Sequence, residues 1–168
     1  VTVNLGTVTA QNTIGAGTDT LSGIERLVGS AFNDTLTGTS SANVISGNGG
    51  NDTLNGAGGT DTLAGGTGND IYLVSNTGVT VTEFLSGGTD EIRTSLSSYT
   101  LPINVEILRF NGFGSFTATG TTANETFYND STDIGGSFTA YAGGGSDTIY
   151  ANGQLDSNFL YGEAGDDR

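Results

Sequence analysis

Residues 29–73 read GSAFNDTLT GTSSANVIS GNGGNDTLN GAGGTDTLA GGTGNDIYL, which are five consecutive blocks of nine residues that each begin with glycine. The sixth position is Asp in four blocks and Asn43 in one, and the eighth position is always aliphatic or aromatic. Such a block fits a glycine-rich turn followed by a very short strand whose eighth residue points inward. The sequence therefore predicts a repeat fold in which two blocks form one coil of 18 residues.

Stacked coils of this kind would leave room for metal ions between their turns. Parallel strands lie about 4.8 Å apart, close to twice a calcium–oxygen distance of about 2.4 Å. We therefore expect turns that are 18 residues apart to share a calcium ion. The pairs of sixth positions are Asp34 with Asp52 and Asp52 with Asp70 on one side, and Asn43 with Asp61 on the other.

The composition points to the same kind of ligand. The chain has 18 acidic residues against four basic ones, and its net charge of −14 opposes a compact state unless cations neutralise it. This charge argues against nucleic acid as a partner. Because the chain has no Cys and no His, only oxygen ligands remain, and these suit hard cations, so calcium and magnesium are the candidates. The sequence holds no apolar stretch of about 18 residues, so we expect no membrane insertion.

A second, less regular array follows at the C-terminal end. GSFTATGTTANETFY from Gly114 aligns with GSFTAYAGGGSDTIY from Gly136 at a period of 22, and a third copy begins at Ser157 at a period of 20. Strand-like segments at the start of the chain also recur in its middle. We therefore expect two diverged modules stacked as one solenoid: 1–75 with a regular roll over 29–73, and 76–168 with a degenerate roll over 114–168.

The five tandem blocks follow the pattern G-G-x-G-x-D-x-U-x and resemble the RTX family, secreted proteins of Gram-negative bacteria. The resemblance implies an all-β fold, a right-handed parallel β-roll or β-helix solenoid with short strands and turns filled by several Ca²⁺ ions. In this family the first turn of a pair supplies carbonyl oxygens from positions two and four plus its Asp. The turn one coil later supplies carbonyls from positions one and three plus its own Asp.

Carried over to this chain, the resemblance implies three regular ligand sets. The sets are Ser30, Phe32, Asp34, Gly47, Gly49 and Asp52; then Asn48, Gly50, Asp52, Gly65, Thr67 and Asp70; and, on the opposite side, Thr39, Ser41, Asn43, Gly56, Gly58 and Asp61. Since the amide of Asn43 is neutral, we expect the third set to bind more weakly.

Three further sets need the longer spacings. They are Gly66, Gly68 and Asp70 with Leu85, Gly87 and Asp90; Gly143, Gly145 and Asp147 with Gly162, Ala164 and Asp167; and Thr121, Ala123 and Glu125 with Ala142, Gly144 and Asp147. The sequence leaves open whether the carboxylates of Glu25, Glu83, Glu106 and Glu125 bind metal.

The leading functional interpretation is a calcium-binding segment that folds outside the cell and supports the secretion, folding and stability of a larger extracellular protein. The resemblance implies export of that parent by a type I secretion apparatus and a secreted or cell-surface location. We expect no enzymatic activity, because acids at a fixed turn position are better explained as metal ligands than as glycosidase carboxylates. Two alternatives stay open: a calcium-rigidified adhesin that contacts polysaccharide, and part of an epimerase or other polysaccharide-modifying enzyme.

Overall fold

A computed structural model describes residues 1–12, 17–132, 135–151 and 157–168, which divide into two compact units, Val1–Gly88 and Thr89–Arg168. The described residues form short strands and no helix, and the sheets are parallel apart from one small pair. The predicted all-β parallel solenoid is therefore confirmed. No helix that could span a membrane occurs in these ranges. The module boundary at residue 75 rests on echoes in the sequence and stays a prediction.

The first unit contains two parallel sheets, with strand orders β1-β5-β7-β9 and β10-β8-β6-β4, and an antiparallel pair formed by β2 and β3. Its strands are β1 Thr2–Asn4, β2 Gln11–Asn12, β3 Thr18–Asp19, β4 Arg26–Val28, β5 Thr35–Thr37, β6 Val44–Gly49, β7 Thr53–Asn55, β8 Thr62–Thr67, β9 Ile71–Val74 and β10 Thr80–Val81.

The core of the first unit is built from the eighth positions of the blocks. Leu36 lies in register with Leu54, and Leu54 with Tyr72, so that consecutive coils pair 18 residues apart. These three side chains are fully buried. On the second sheet Ile45 pairs with Leu63 in the same way, and both are buried. Alternation along these strands therefore places the eighth-position side chain inside and leaves its immediate neighbours nearer to solvent.

The second unit has the same design with longer coils. Its sheets have the orders β11-β13-β15-β17 and β12-β14-β16-β18. Phe116 pairs with Phe138 and Phe138 with Asn158, which reproduces the predicted periods of 22 and 20. The strands are β11 Glu91–Thr94, β12 Ser98–Thr100, β13 Ile107–Phe110, β14 Phe116–Thr119, β15 Thr126–Asn129, β16 Ser137–Tyr141, β17 Thr148–Tyr150 and β18 Ser157–Tyr161.

Aromatic side chains fill much of the core of the second unit. The rings of Phe110 and Phe116 stack with their centroids 4.3 Å apart, and Phe138 stacks on Phe116 at 6.0 Å. Phe127 is also fully buried. Each unit thus has a narrow apolar interior, and the turns at its margins carry the polar residues.

Replacing Leu54 with Ala is expected to lower the free energy of unfolding in calcium by about 2–5 kcal/mol, because the cavity cannot be filled by neighbouring short strands. Urea denaturation followed by circular dichroism measures this change. Val28, which is 54% exposed, supplies the matched control, and its replacement by Ala should cost about 0.5 kcal/mol or less. Equal losses in the two variants would contradict the inward placement of Leu54.

Candidate metal centre

The sixth positions of the blocks are joined by hydrogen bonds from coil to coil. The N–H of Asp34 donates to Oδ1 of Asp52 at 2.8 Å, and the N–H of Asp52 donates to Oδ1 of Asp70 at 2.7 Å. On the opposite margin the N–H of Asn43 donates to Oδ1 of Asp61 at 2.8 Å. The structure thus brings together the pairs expected from the nine-residue spacing, and one carboxylate oxygen of each acceptor holds two coils in register.

The second carboxylate oxygen in these ladders has no donor to bind. The Oδ2 atoms of Asp52 and Asp61 are buried and lack a hydrogen-bond partner within the described residues. A Cβ added to Gly47 would collide with Oδ2 of Asp52 and lie 2.7 Å from the carbonyl oxygen of Gly65. Glycine at position one therefore keeps open a space that is bordered by acceptors from two coils. Such a space suits a cation.

Burial of these carboxylates has an electrostatic cost. Desolvation raises the pKa of Asp52 to about 6. Burial also raises the pKa of Asp70 to about 6, and the nearby charges of Asp52 and Glu83 add to this effect. The chain contains no Lys, Arg93 and Arg109 form ion pairs with other carboxylates, and the N-terminal ammonium, which contacts Asp34, offsets the cost at Asp52 only in part. A bound divalent cation would remove this cost.

The second unit repeats the arrangement at its longer spacings. The N–H of Glu125 donates to Oδ1 of Asp147 at 2.8 Å, and the N–H of Asp147 donates to Oδ1 of Asp167 at 3.0 Å. Oε2 of Glu125 and Oδ2 of Asp147 are buried without a hydrogen-bond partner in the described ranges. Burial raises the pKa of Glu125 to about 6, and the charge of Asp147 contributes. Asp167, in contrast, is exposed.

Two glutamates whose role the sequence left open lie in these ladders. Oε2 of Glu106 accepts the N–H of Asp90 at 2.9 Å, as a sixth-position carboxylate does. Glu83 is buried, receives the hydroxyl hydrogen bond of Tyr72, and has a carboxylate oxygen within 4.8 Å of one from Asp70. Glu83 lies 18 residues after Gly65, where a regular block would begin with glycine. A glutamate in place of the expected glycine was therefore the sequence signal for a role of Glu83, but the block pattern does not place a carboxylate at that position.

The predicted carbonyl ligands lie in the same turns, and several already accept a hydrogen bond. Thr67 accepts the N–H of Gly50 at 2.9 Å, and Gly87 accepts that of Gly68 at 2.7 Å. A carbonyl oxygen has two lone pairs, so one hydrogen bond leaves capacity for a metal ion. The side chain of Leu85 is exposed, and that of Asp90 is buried. The assignment of individual ligands stays a prediction.

The donor chemistry fits calcium. Every unpartnered atom named above is a carboxylate oxygen, the adjoining groups are backbone carbonyls, and the chain has neither Cys nor His. Hard cations prefer such ligands, and calcium tolerates irregular oxygen cages better than magnesium does. The residues at Asp52, Asp70, Glu125 and Asp147 would hold the ions, whose charge would compensate the buried carboxylates.

Comparison with known proteins agrees with this chemistry. A family model described as the RTX calcium-binding nonapeptide repeat (4 copies) matches residues 19–54, 37–72 and 141–168. No curated protein and no solved structure matches the chain significantly. Proteins with these repeats are typically secreted. The matched segments contain both margins of the first array and the turns of Asp147 and Asp167.

Because the pKa values of these buried carboxyl groups are raised, we expect protonation at acidic pH to neutralise them and so to stabilise the metal-free chain in part, as a bound metal ion would. The carboxyl groups of Asp52 and Glu125 have a pKa of about 6 in the folded chain and a lower pKa in the unfolded chain. Their protonation therefore stabilises the folded state fully at a pH below the unfolded pKa, and this stabilisation is lost as the pH rises through 6. We therefore expect the metal-free chain to show more β signal by circular dichroism at pH 4.5 than at pH 7.

The neutral variant Asp52→Asn with Glu125→Gln serves as the control for this prediction. It should show less change between the two pH values than the wild type, because two of the titrating groups are removed. A wild-type β signal that is weaker at pH 4.5 than at pH 7 would contradict the assignment of buried carboxylates.

Proposed function

Because this chain is built from RTX calcium-binding nonapeptide repeats, we propose that it is a module that folds when it binds calcium outside the cell and thereby supports the folding and stability of a larger secreted protein. In this proposal the chain has no catalytic activity of its own, and its parent leaves the cell by type I secretion. Low calcium in the cytosol would keep the segment unfolded before export.

The observation that carries the proposal is the set of buried carboxylate oxygens without donors. Asp52, Asp61, Glu125 and Asp147 each have one such oxygen, counting partners only in the described ranges. Their negative charges are part of a net charge of −14 in a chain with 29 glycines, so ordering is costly without a counterion. Binding energy that removes this cost acts directly as folding energy.

A calcium titration followed by circular dichroism tests the proposal. We expect a disordered spectrum in chelator and a cooperative rise in β signal at about 0.1–1 mM calcium, the range of extracellular modules. Magnesium at the same concentrations is the control and should produce a much smaller change. A fully folded spectrum in chelator that calcium does not alter would refute the proposal.

Replacing Asp52 with Ala should raise the calcium midpoint of that transition about tenfold or more, which corresponds to at least about 1.4 kcal/mol. The substitution removes an unpartnered oxygen and also the hydrogen bond that Asp34 donates to Oδ1. The exposed Asp166, replaced by Ala, is the matched control for lost charge. An unchanged midpoint in Asp52→Ala would remove this residue from the metal centre.

Exposed tyrosine rows in the second unit favour polysaccharide binding as a second candidate function. The rings of Tyr141 and Tyr161 stack at 4.9 Å, and Arg109 lies over the ring of Tyr128, which stacks on Tyr150 at 4.8 Å. Aromatic rings beside charged hydrogen-bonding groups are suitable for contacts with sugars. A rise in melting temperature with soluble polysaccharide, abolished by Tyr150→Ala, would support this function, and no rise with any polysaccharide would count against it.

A further inference from the structure

The opening turns of the two arrays differ from the turns that follow them. We call residues 29–34, 38–43 and 120–125 the capping turns. Each carries a hydroxyl residue at position two, namely Ser30, Thr39 or Thr121. The corresponding residues of most of the following turns are Asn48, Ala57, Gly66, Gly143 and Glu163, none of which has a hydroxyl group. The turn 85–90 has Ser86 at this position, but there the backbone is left-handed, with φ of 67°.

In the capping turns, position two donates hydrogen bonds to the side chain at position six. The N–H of Ser30 donates to Oδ2 of Asp34 at 2.5 Å, and the hydroxyl of Ser30 donates to Oδ1 of Asp34 at 3.0 Å. Thr39 likewise donates its N–H and hydroxyl to Oδ1 of Asn43, at 2.7 and 3.2 Å. Thr121 makes both contacts with Oε1 of Glu125. The same arrangement thus occurs three times.

The hydroxyl also closes the turn on its other side. The N–H at position four donates to it in each case, from Phe32 to Ser30 at 3.3 Å, and from both Ser41 and Ala123 to the corresponding threonine at 3.1 Å. Position two therefore uses its N–H and its hydroxyl to complete a local network within the turn. Outside this network, Oδ1 of Asp34 also accepts from the N-terminal ammonium of Val1, and Nδ2 of Asn43 donates to the carbonyl of Ile24 at 3.3 Å.

The backbone of the following turns takes a different course. Positions two and four are left-handed in the next turn, with φ of 78° at Asn48 and 101° at Gly50, and they are left-handed again at Gly66 and Gly68. Ser30 and Phe32 occupy the same positions one coil earlier, and neither has a left-handed φ. In the later turn, Oδ2 of Asp52 is left without a donor in the described ranges.

The backbone course of a turn determines whether the space beside its position-one glycine, which we call the cage, is lined by hydrogen-bond acceptors or also by a donor. A Cβ added to Gly29 would collide with Oδ2 of Asp34 and with the carbonyl oxygen of Gly47, so the space beside Gly29 is bordered by the same two kinds of oxygen as the space beside Gly47. In the capping turn, however, the N–H of Ser30 is already directed at Oδ2 of Asp34. An N–H inside the cage repels a cation and satisfies the carboxylate that would have bound it. The cage beside Asp34 is therefore a poor fit for calcium.

We propose that the two capping turns of the first array, 29–34 and 38–43, are closed by these donors and hold no cation, so that metal binding begins one coil later. Asn43 is consistent with this, since a neutral amide suffices where no ion has to be neutralised. The inference rests on the proposed calcium-dependent function, and it departs from the ligand sets that include Ser30, Phe32, Thr39 and Ser41.

The capping turn of the second array differs in one respect. The side chain of Glu125 is one methylene longer than Asp, and while Oε1 accepts from Thr121, Oε2 stays buried without a partner in the described part of the chain. This turn therefore closes its own network and still offers an oxygen to an ion shared with Asp147.

Matched substitutions one coil apart test the proposal. Native mass spectrometry of the full chain in calcium counts the bound ions for wild type, Asp34→Asn and Asp52→Asn. We expect Asp34→Asn to retain the wild-type number of ions, since Asn43 already occupies the equivalent position, and Asp52→Asn to lose at least one. Loss of an ion from Asp34→Asn would overturn the proposal.

A gain-of-site variant tests the same claim in the opposite direction. Ser30→Gly with Phe32→Gly converts the first turn to GGAGND, which removes the hydroxyl and permits left-handed backbone at both positions. We expect one additional calcium ion per molecule. Ser30→Ala with Phe32→Ala, which removes the hydroxyl but keeps Cβ atoms that disfavour that backbone, should gain none. An unchanged ion count in the glycine variant would overturn the proposal.

These outcomes are distinct from failure of the proposed function. If the wild-type chain binds no calcium, the metal-dependent function itself is refuted. If the wild type binds calcium and Asp34→Asn binds less, the function stands and only the assignment of ion-free capping turns is wrong.

Discussion

The structure depends on the burial of a carboxylate at the same place in successive coils. One oxygen of Asp52 receives a backbone N–H from the preceding coil, and the other is buried without a donor among the described residues. The hydrogen bond fixes the register of the coils, because a shift by one residue would break it and turn the apolar side chains outward. The buried oxygen without a donor raises the free energy of the folded state until a cation is bound.

One carboxylate oxygen thus fixes the register and the other is available to a cation, which explains how a chain with so small an apolar core can fold. The first unit buries about one apolar side chain per strand, such as Leu54 or Ile45, and its turns are rich in glycine. Such a chain gains little from burial relative to the backbone entropy that it loses. Metal binding between turns would supply the missing stability and would also make folding responsive to the calcium concentration. A module of that kind is suited to a protein that must remain unfolded in one compartment and fold in another.

The regular part of the fold was predictable, because a strict period determines which residues meet. The spacing of nine identified the inward side chains Leu36, Leu54 and Tyr72 and the stacked carboxylates of the first array. Glu83 is in phase, 18 residues after Gly65, but its role was not predictable, because the block pattern places glycine and not a carboxylate at that position. The closed state of the turn at Ser30 was also hidden, because the hydrogen bonds of its N–H and hydroxyl to Asp34 become evident only in three dimensions.

Metal binding between coils is tested most directly by a crystal structure of the chain grown in calcium, with anomalous scattering measured to identify the ions. We expect an anomalous peak between the turns of Asp52 and Asp70, in contact with Oδ2 of Asp52 and the carbonyl oxygen of Gly65. An ordered structure in which Oδ2 of Asp52 is bound only by water or by a protein donor, with no ion between these coils, would contradict it.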